Sequence, residues 1–251
     1  KTVYLSGLTA LLALTGCASH YELASIQRTR VLVDSRYDAA PDADAAKFME
    51  PFKHKVDSLM GPVVGETDHE MVAHRPESDL SNLLADIMVW GARDYNERVD
   101  FGVYNMGGIR AALPKGKITY GDVLDIAPFE NKICFVTLTG EKVLELFRQM
   151  AYTGGEAVSH GVELVFTCDH KLKSALLNGK EIDPKASYRI ATLDYLAQGN
   201  DKMEAFKSAT SVVSPQETSN NTRFIIMNFF KEQTAKGRIV NAQKEGRIRV
   251  E

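Results

Sequence analysis

A strand pattern that runs directly into a helix pattern constrains this fold more than any other feature of the chain. The run from Ile133 to Leu138, ICFVTL, is almost entirely apolar and is typical of a buried strand. Residues 140–152 follow after a single threonine, and their apolar side chains recur at three- and four-residue steps, as in a helix. Strand and helix patterns alternate in this way along most of the chain. The sequence therefore predicts an α/β or α+β fold.

The same patterns predict the other elements. Helices are predicted over residues 45–59, 79–91 and 222–234, with Ser78 or Asp79 as an N-cap, and a short helix is predicted to begin at Thr119. Pro51 lies inside the first pattern, so we expect either a kink or a helix that starts near this proline. Further strands are predicted over residues 100–104, 161–166, 174–182, 188–196 and 247–250. No repeat or low-complexity linker interrupts residues 37–251, which predicts one domain with a leading helix over about 37–60.

The first residues have the pattern of an export signal. Lys1 precedes an apolar run that is too short for a permanent transmembrane helix. The sequence LTGC at residues 14–17 resembles a bacterial lipobox, which predicts a lipoprotein signal peptide over residues 1–16 and lipidation of Cys17. An ordinary signal peptide with a chance cysteine is the alternative. We expect residues 17–36 to be a tether, and Ala18 favours the outer membrane or cell surface if the cell is Gram-negative.

Composition and motifs exclude several functions. The net charge is −3 and there is no long run of Lys or Arg, so nucleic acid is not an expected partner. No serine-hydrolase elbow, P-loop, dinucleotide fingerprint or HExxH zinc motif occurs. His69 and His74 could share a metal, but a solvated polar turn is the favoured interpretation. We therefore assign no catalytic residue and no metal ligand. Cys134 and Cys168 either form a disulfide or remain two buried thiols.

A glycine-rich segment that ends in a lone arginine is the first candidate for ligand binding. The sequence NMGGIR at residues 105–110 follows a predicted strand. Gly107 and Gly108 allow the backbone to approach a ligand and to turn its N–H groups toward an anion. Arg110 offers a planar set of donors suited to phosphate oxygens. The alternative is a tight turn with a surface arginine.

Two further segments carry side chains suited to a nucleoside. Phe129 follows Pro128 and is flanked by polar residues, so it is poorly placed for a core but could stack on a base. Asn131 offers a donor and an acceptor to a base edge. Tyr195 could supply a second aromatic face, and Asp201 could accept hydrogen bonds from a ribose diol. The alternatives are an aromatic side chain that anchors a loop and an aspartate that caps a helix.

Together these segments resemble the C-terminal domain of the 5′-nucleotidase / UDP-sugar hydrolase family. The resemblance extends from about residue 37 to the end and rests on five segments in order: ESDLSNLLADIM, NMGGIRAALPKGKITYGDVLDIAPFENK, LTGEKVLELF, YRIATLDYLAQGND and EGRIRV. It implies a substrate-binding module with a layered α/β/β/α architecture. The chain departs from the family at Glu130, Asn200 and Lys202, where members often have glycine, and these side chains put the identity of the ligand in doubt.

The resemblance implies a clamp on the base by Phe129 and Tyr195, and it adds three residues to the predicted site. Asn105 joins the phosphate end, Arg75 is a further phosphate candidate, and Gly161 is expected to line the base pocket. The predicted substrate-binding residues are then Asn105, Gly107, Gly108, Arg110, Phe129, Asn131, Gly161, Tyr195, Asp201 and Arg75.

Full-length family members also carry a metallophosphatase domain that holds two divalent metals, and no segment of this chain resembles it. The resemblance therefore implies a nucleotide- or nucleoside-binding module of a split 5′-nucleotidase, with a separate metallophosphatase chain as its partner. Divalent metals are expected only on that partner, and no cofactor is expected on this chain. A non-catalytic nucleotide-binding surface lipoprotein is the alternative. A scaffold that binds no nucleotide would not need the set of polar and aromatic residues at the predicted site.

Overall fold

The computed structural model describes residues 21–251, so the predicted signal peptide and the lipidation site Cys17 lie outside the described residues. The chain divides into two units, Lys1–Met49 and Glu50–Glu251. In the first unit, residues 21–49 are exposed, and a single 3₁₀ turn lies at Ser35–Tyr37 before the first helix. The tether over residues 17–36 stays a prediction.

Within residues 21–251, no helix combines the length and the apolar character that crossing a membrane requires.

The helices begin largely where their capping residues predict. They are α1 (Ala43–Met60), α2 (Asp79–Gly91), α3 (Tyr120–Ile126), α4 (Gly140–Thr153), α5 (Asp194–Ala197) and α6 (Thr222–Ala235). The side chains of Ser78 and Thr119 accept hydrogen bonds from the first turns of α2 and α3, as expected for N-caps. The predicted helix start near Pro51 is wrong, because α1 begins before it. This part of α1 is exposed, so water can satisfy the Lys47 carbonyl that the proline leaves without a donor.

The strands of residues 21–251 form three sheets. They are β1 (Val63–Thr67), β2 (Phe101–Tyr104), β3 (Gly116–Thr119), β4 (Ile133–Thr139), β5 (Ala157–Val158), β6 (Val162–Phe166), β7 (Leu172–Leu177), β8 (Lys180–Glu181), β9 (Ser187–Leu193), β10 (Thr210–Val213) and β11 (Ile248–Val250). Strands β1 and β3 pair alone, and the larger sheets have the orders β10-β4-β9-β2-β5 and β11-β6-β7-β8. The β2–β9 and β6–β11 pairs are parallel, and the other pairs are antiparallel.

Two predicted strands differ from the structure. The strand predicted over residues 174–182 is a hairpin, because Asn178 and Gly179 adopt the left-handed conformation that a tight turn needs, with φ of 52° and 73°. The strand predicted over residues 188–196 ends at Leu193. There the Asp194 carboxylate accepts a hydrogen bond from the Tyr195 N–H at 2.8 Å, at the start of α5.

The five-stranded sheet has helices on both faces. The Phe101 ring of β2 lies 5.6 Å from the Phe147 ring of α4. Its neighbour Gly102 faces α2 so closely that a Cβ would lie 2.6 Å from the Ala85 carbonyl oxygen. Because successive residues of a strand point to opposite faces, α2 and α4 cover opposite sides of the sheet. Helix α4 also packs against β7 of the four-stranded sheet. The predicted layered α/β class is confirmed.

Candidate functional site

Three segments of the predicted site meet at one edge of the five-stranded sheet. Strands β2 and β9 are parallel neighbours, so the segments that follow them, which carry Asn105 and Tyr195, leave from the same edge. Strand β4 runs antiparallel to β9, with Ile133 paired to Leu193, so residues 128–131 before β4 lie at this edge too. The carboxyl ends of parallel strands are the usual place for a ligand site in α/β proteins. The register of the sheet therefore assembles the candidate site.

A cavity of about 250 Å³ lies where these segments meet. Phe129 and Tyr195 keep 44% and 36% of their surface exposed, so both rings are accessible to a ligand. Every residue that lines the cavity belongs to the set predicted from the sequence. These residues are Asn105, Gly107, Arg110, Phe129, Asn131, Tyr195 and Asp201.

Asp201 is the polar centre of the cavity. Its Oδ2 accepts a hydrogen bond from Asn105 Nδ2 at 2.7 Å, and its Oδ1 accepts one from the Tyr195 hydroxyl at 2.9 Å. The bond to this carboxylate raises the pKa of the Tyr195 hydroxyl. Asp201 and Lys202 both have left-handed backbone conformations, with φ of 54° and 64°, which are unfavourable for residues other than glycine. The structure thus keeps backbone strain beside the cavity, mainly at Lys202, because aspartate tolerates this conformation better than lysine does.

The Asn105 side chain is buried and only partly satisfied. Its surface is 4% exposed, and its Oδ1 has no hydrogen-bond partner among the described residues. This oxygen lies over Gly108, where a Cβ would come within 2.5 Å of it. Gly108 is therefore required for the position of the Asn105 amide, although it does not line the cavity itself.

Arg110 supplies the positive charge of the cavity. Its Cζ lies 5.5 Å from the centroid of the Phe129 ring, in a cation–π contact. The described part of the chain places no carboxylate in an ion pair with this guanidinium. The charge is therefore available to an anion that enters the cavity.

Glu156 supports the turn at the arginine end, and the sequence analysis missed it. This carboxylate is 1% exposed; its Oε2 accepts a hydrogen bond from the Met106 N–H at 2.7 Å, and its Oε1 pairs with Arg75. Burial raises the pKa of Glu156, against the opposite effects of the Met106 N–H and of Arg75. A single glutamate after two glycines carries no local signal, because its partners are distant in sequence.

Arg223 supports the loop that carries Phe129, and it was missed for the same reason. Its Nη2 donates a hydrogen bond to the Pro128 carbonyl at 2.9 Å, while the Thr222 N–H donates to the Asn131 carbonyl at 2.9 Å. Arg223 is 9% exposed, and within residues 21–251 its Nε has no partner and no carboxylate pairs with it. The first turn of α6 thus holds the loop on both sides of Phe129.

Two other predicted residues lie away from the cavity. Arg75 pairs with Glu156 and lines a separate cavity beside Cys168. The structure does not bring Gly161 to the candidate site either. This glycine lies in a turn with φ of 89°, where a Cβ would come within 2.4 Å of Asn178 Oδ1, and it borders a different depression. The turn, with its left-handed conformation and its close approach to Asn178, explains why a glycine occupies this position.

The histidines and cysteines of residues 21–251 form no metal site. In residues 21–251, no group of three or more His, Cys, Asp or Glu side chains is arranged to hold a metal. The His69 ring bonds to Asp68 and, at 3.3 Å, to Asp79, and the Asp68 bond raises its pKa. Cys134 is buried, Cys168 is exposed, and both are free thiols. The disulfide alternative is therefore wrong, and so is burial of both thiols, because Cys168 lies outside the core.

The fold and the cavity define a substrate-binding domain of the α/β class. The family model of the 5′-nucleotidase C-terminal domain matches residues 63–208, and the chain belongs to this family. The cell wall protein Lmo0130 of Listeria monocytogenes is 27% identical over 82% of this chain and 29% of its own length. The trifunctional nucleotide phosphoesterase protein YfkN of Bacillus subtilis is 28% identical over 86% of this chain and 16% of its own length.

A solved structure gives the same result. The crystal structure of a 5′-nucleotidase precursor from Thermus thermophilus matches with a TM-score of 0.73 and 28% identity, over 85% of this chain and 44% of that one. The chain thus spans less than one third of the two curated relatives and less than half of the solved structure.

Proposed function

We propose that this chain is the nucleotide- or nucleoside-binding module of a split 5′-nucleotidase, whose hydrolytic unit is a separate metallophosphatase chain. The observation that carries the proposal is the convergence of two aromatic rings, a carboxylate and an arginine on one cavity of about 250 Å³, with no carboxylate of residues 21–251 in an ion pair with that arginine. This volume is below the range of about 300–1,000 Å³ that is usual for small-molecule sites, so the cavity encloses part of a nucleotide and leaves the rest exposed.

The aromatic end of the cavity suits a base and its ribose. Phe129 and Tyr195 stack on the two faces of the base, and each such contact is worth about 1–3 kcal/mol. Asn131 hydrogen bonds to the base edge, since an amide is both donor and acceptor. Asp201 accepts hydrogen bonds from the ribose hydroxyls through lone pairs that Asn105 and Tyr195 leave free.

The arginine end suits a phosphate. Arg110 donates charge-assisted hydrogen bonds to phosphate oxygens, and Gly107 leaves the turn open because it has no side chain. Arg75 acts on the same turn through Glu156, which holds the Met106 N–H. Hydrolysis is the task of the partner, whose divalent metals supply an activated water. The module contributes by holding the substrate in a fixed orientation.

A calorimetric titration of the purified chain with AMP, adenosine and UDP-glucose, without metal, tests the proposal. We expect AMP to bind, and we expect the Phe129→Ala variant to bind it more weakly. No heat with any of the three ligands would reject a nucleotide-binding role and leave a scaffold.

A second measurement separates the split enzyme from a protein that binds nucleotides without hydrolysis. A metallophosphatase chain from the same cell is assayed for phosphate release from AMP with and without this protein. Faster release in its presence, lost in the Phe129→Ala variant, supports the split enzyme. An unchanged rate, together with metal-free AMP binding, supports the non-catalytic nucleotide-binding lipoprotein.

The proposed location is the outside of the cell, with a lipid anchor at Cys17. The LTGC motif and the relation to a protein named a cell wall protein support this part of the proposal. Cells grown with labelled palmitate should incorporate the label into the wild-type chain and not into the Cys17→Ser variant. Equal labelling of both chains would contradict lipidation at this cysteine.

A further inference from the structure

We propose that Arg110 covers the base-stacking face of Phe129 in the ligand-free protein, and that this cover selects ligands that carry a 5′-phosphate. The inference rests on the proposed function, and it adds a specificity role to a residue otherwise assigned to phosphate alone. Its starting point is that two side chains proposed to bind opposite ends of a nucleotide are in contact with each other.

The surroundings of Arg110 favour this resting position. Its Cζ lies 5.5 Å from the centroid of the Phe129 ring, and in the described chain its guanidinium has no hydrogen bond or ion pair. Arg93 provides a contrast, because it lies 3.9 Å from the Trp90 ring centroid and also pairs with Glu232. The guanidinium of Arg110 thus rests on an aromatic ring while its charge remains unneutralised.

The backbones on both sides of the contact are held, so the cover can open by movement of the Arg110 side chain alone. The Arg110 N–H donates to the Ile126 carbonyl at 3.2 Å. The loop that carries Phe129 is held by Arg223 through the Pro128 carbonyl. On the opposite side, Tyr195 is tied to Asp201. Of the two rings proposed to stack on the base, Phe129 is therefore the one whose face is covered by a side chain that can move away, that of Arg110.

A nucleoside and a nucleotide meet this cover differently. A base that stacks on Phe129 must displace the Arg110 guanidinium. A nucleoside has no charged group that could bind the displaced guanidinium. A nucleotide offers a phosphate, whose charge-assisted hydrogen bonds to arginine are stronger than an exposed cation–π contact. The phosphate therefore draws the guanidinium from the ring and opens the stacking face. Loss of an exposed cation–π contact corresponds to about a two- to fivefold change in affinity.

The test compares adenosine and AMP, and uridine and UMP, in the wild-type chain and the Arg110→Ala variant by calorimetry. We expect the variant to bind the nucleosides about two- to fivefold more tightly and the nucleotides about tenfold more weakly. A nucleoside carries no charge, so removal of the arginine charge cannot by itself improve nucleoside binding. Opposite signs for the two ligand classes are therefore specific to the cover.

Other outcomes separate this inference from the proposed function. If the variant loses nucleotide affinity while nucleoside affinity is unchanged or lower, the cover is rejected and the phosphate role of Arg110 remains. If the wild-type chain binds neither nucleosides nor nucleotides, the proposed function fails and the cover is rejected with it.

The matched control is Arg93→Ala, which removes another arginine–aromatic contact away from the cavity. It should leave all four affinities within twofold, roughly the error of such comparisons. A nucleoside gain in this control as large as in Arg110→Ala would also reject the cover. Urea unfolding of each variant shows that both chains remain folded.

Discussion

The turn at the proposed phosphate end of the cavity and the loop at its proposed base end are held by different chemistry. At the phosphate end, the buried Glu156 carboxylate accepts the Met106 N–H at 2.7 Å and is paired with Arg75. At the base end, the buried Arg223 guanidinium donates to the Pro128 carbonyl at 2.9 Å, and no carboxylate in residues 21–251 pairs with it.

The difference follows from which backbone groups each segment leaves unpaired. A turn that presents N–H groups needs an acceptor below it, and a loop that presents carbonyls needs a donor. The Glu156 side chain is 1% exposed, while that of its partner Arg75 is 40% exposed. The phosphate end therefore depends on a buried anion whose counter-charge is solvated. The base end depends on a buried cation that donates to a neutral carbonyl and, within residues 21–251, pairs with no carboxylate. Removal of the two supports should therefore have different consequences.

The largest effect is expected from Glu156→Ala. The change leaves the Met106 N–H buried without an acceptor, and we expect a loss of about 2–3 kcal/mol in the free energy of unfolding, measured in urea. Because Arg75 can turn to solvent, the loss should remain below that of a fully buried ion pair. Glu156→Gln is the matched control, since its amide oxygen can still accept from Met106. If the glutamine variant loses as much free energy of unfolding as the alanine variant, the stability does not depend on an acceptor for the Met106 N–H.

The next largest effect is expected at the base end, from Phe129→Ala. Loss of the stacking face should weaken AMP binding by about five- to thirtyfold, because water cannot replace it. Asp201→Ala should weaken binding less, since water can solvate the ribose hydroxyls. Asp201→Asn is the sharper comparison, because its amide oxygen can still accept from the Tyr195 hydroxyl. Calorimetry that finds an equal or larger loss at Asp201 would count against the aromatic clamp.

A smaller effect is expected from Arg223→Met. Replacement of a buried cation by an apolar side chain of similar length relieves its desolvation cost, so the free energy of unfolding should change by less than about 1 kcal/mol. AMP affinity should still fall by about threefold, because the Pro128 carbonyl loses its donor and the Phe129 loop is less fixed. Arg223→Lys should restore most of the affinity. Binding of inorganic phosphate should not change, and a parallel loss there would indicate a general defect.

The smallest effect is expected in the pH dependence of stability. Burial raises the pKa of Glu156 above its ordinary value of 4.5, so the folded state holds this proton more tightly than the unfolded state does. The stabilisation that results is complete below pH 4.5 and is lost as the pH rises through the folded-state pKa. The stability of the wild type relative to Glu156→Gln, measured across this range, should therefore decrease with pH. A relative stability that increases would mean that the Arg75 pair outweighs burial.

The parts of the fold that could be predicted from sequence are those with local causes. Ser78 and Thr119 start their helices because each caps the turn that follows it. Phe129 could be identified because an aromatic residue that follows proline and is flanked by polar residues is poorly suited to a core. The strand predicted over residues 188–196 is wrong beyond Leu193, because the Asp194 carboxylate accepts from the Tyr195 N–H and a short helix begins there.

The parts that could not be predicted depend on contacts between distant segments. Glu156 and Met106 are brought together by the antiparallel pairing of β2 with β5, and no local pattern indicates this. Arg223 lies at the start of a helix, where an arginine is ordinarily solvated. Gly161 was assigned to the base pocket by resemblance, but its conformation serves a turn against Asn178.

The hydrogen bond from Asn105 to Asp201 joins positions that are 96 residues apart in sequence. A fragment that stops before Asp201 therefore contains most of the cavity lining and still lacks its polar centre. Ligand binding becomes a reporter of complete folding, since only a chain that has paired β2 with β9 can present the site. By mass action, a nucleotide that binds as proposed would, at one hundred times its Kd, stabilise the folded domain by about 2.7 kcal/mol.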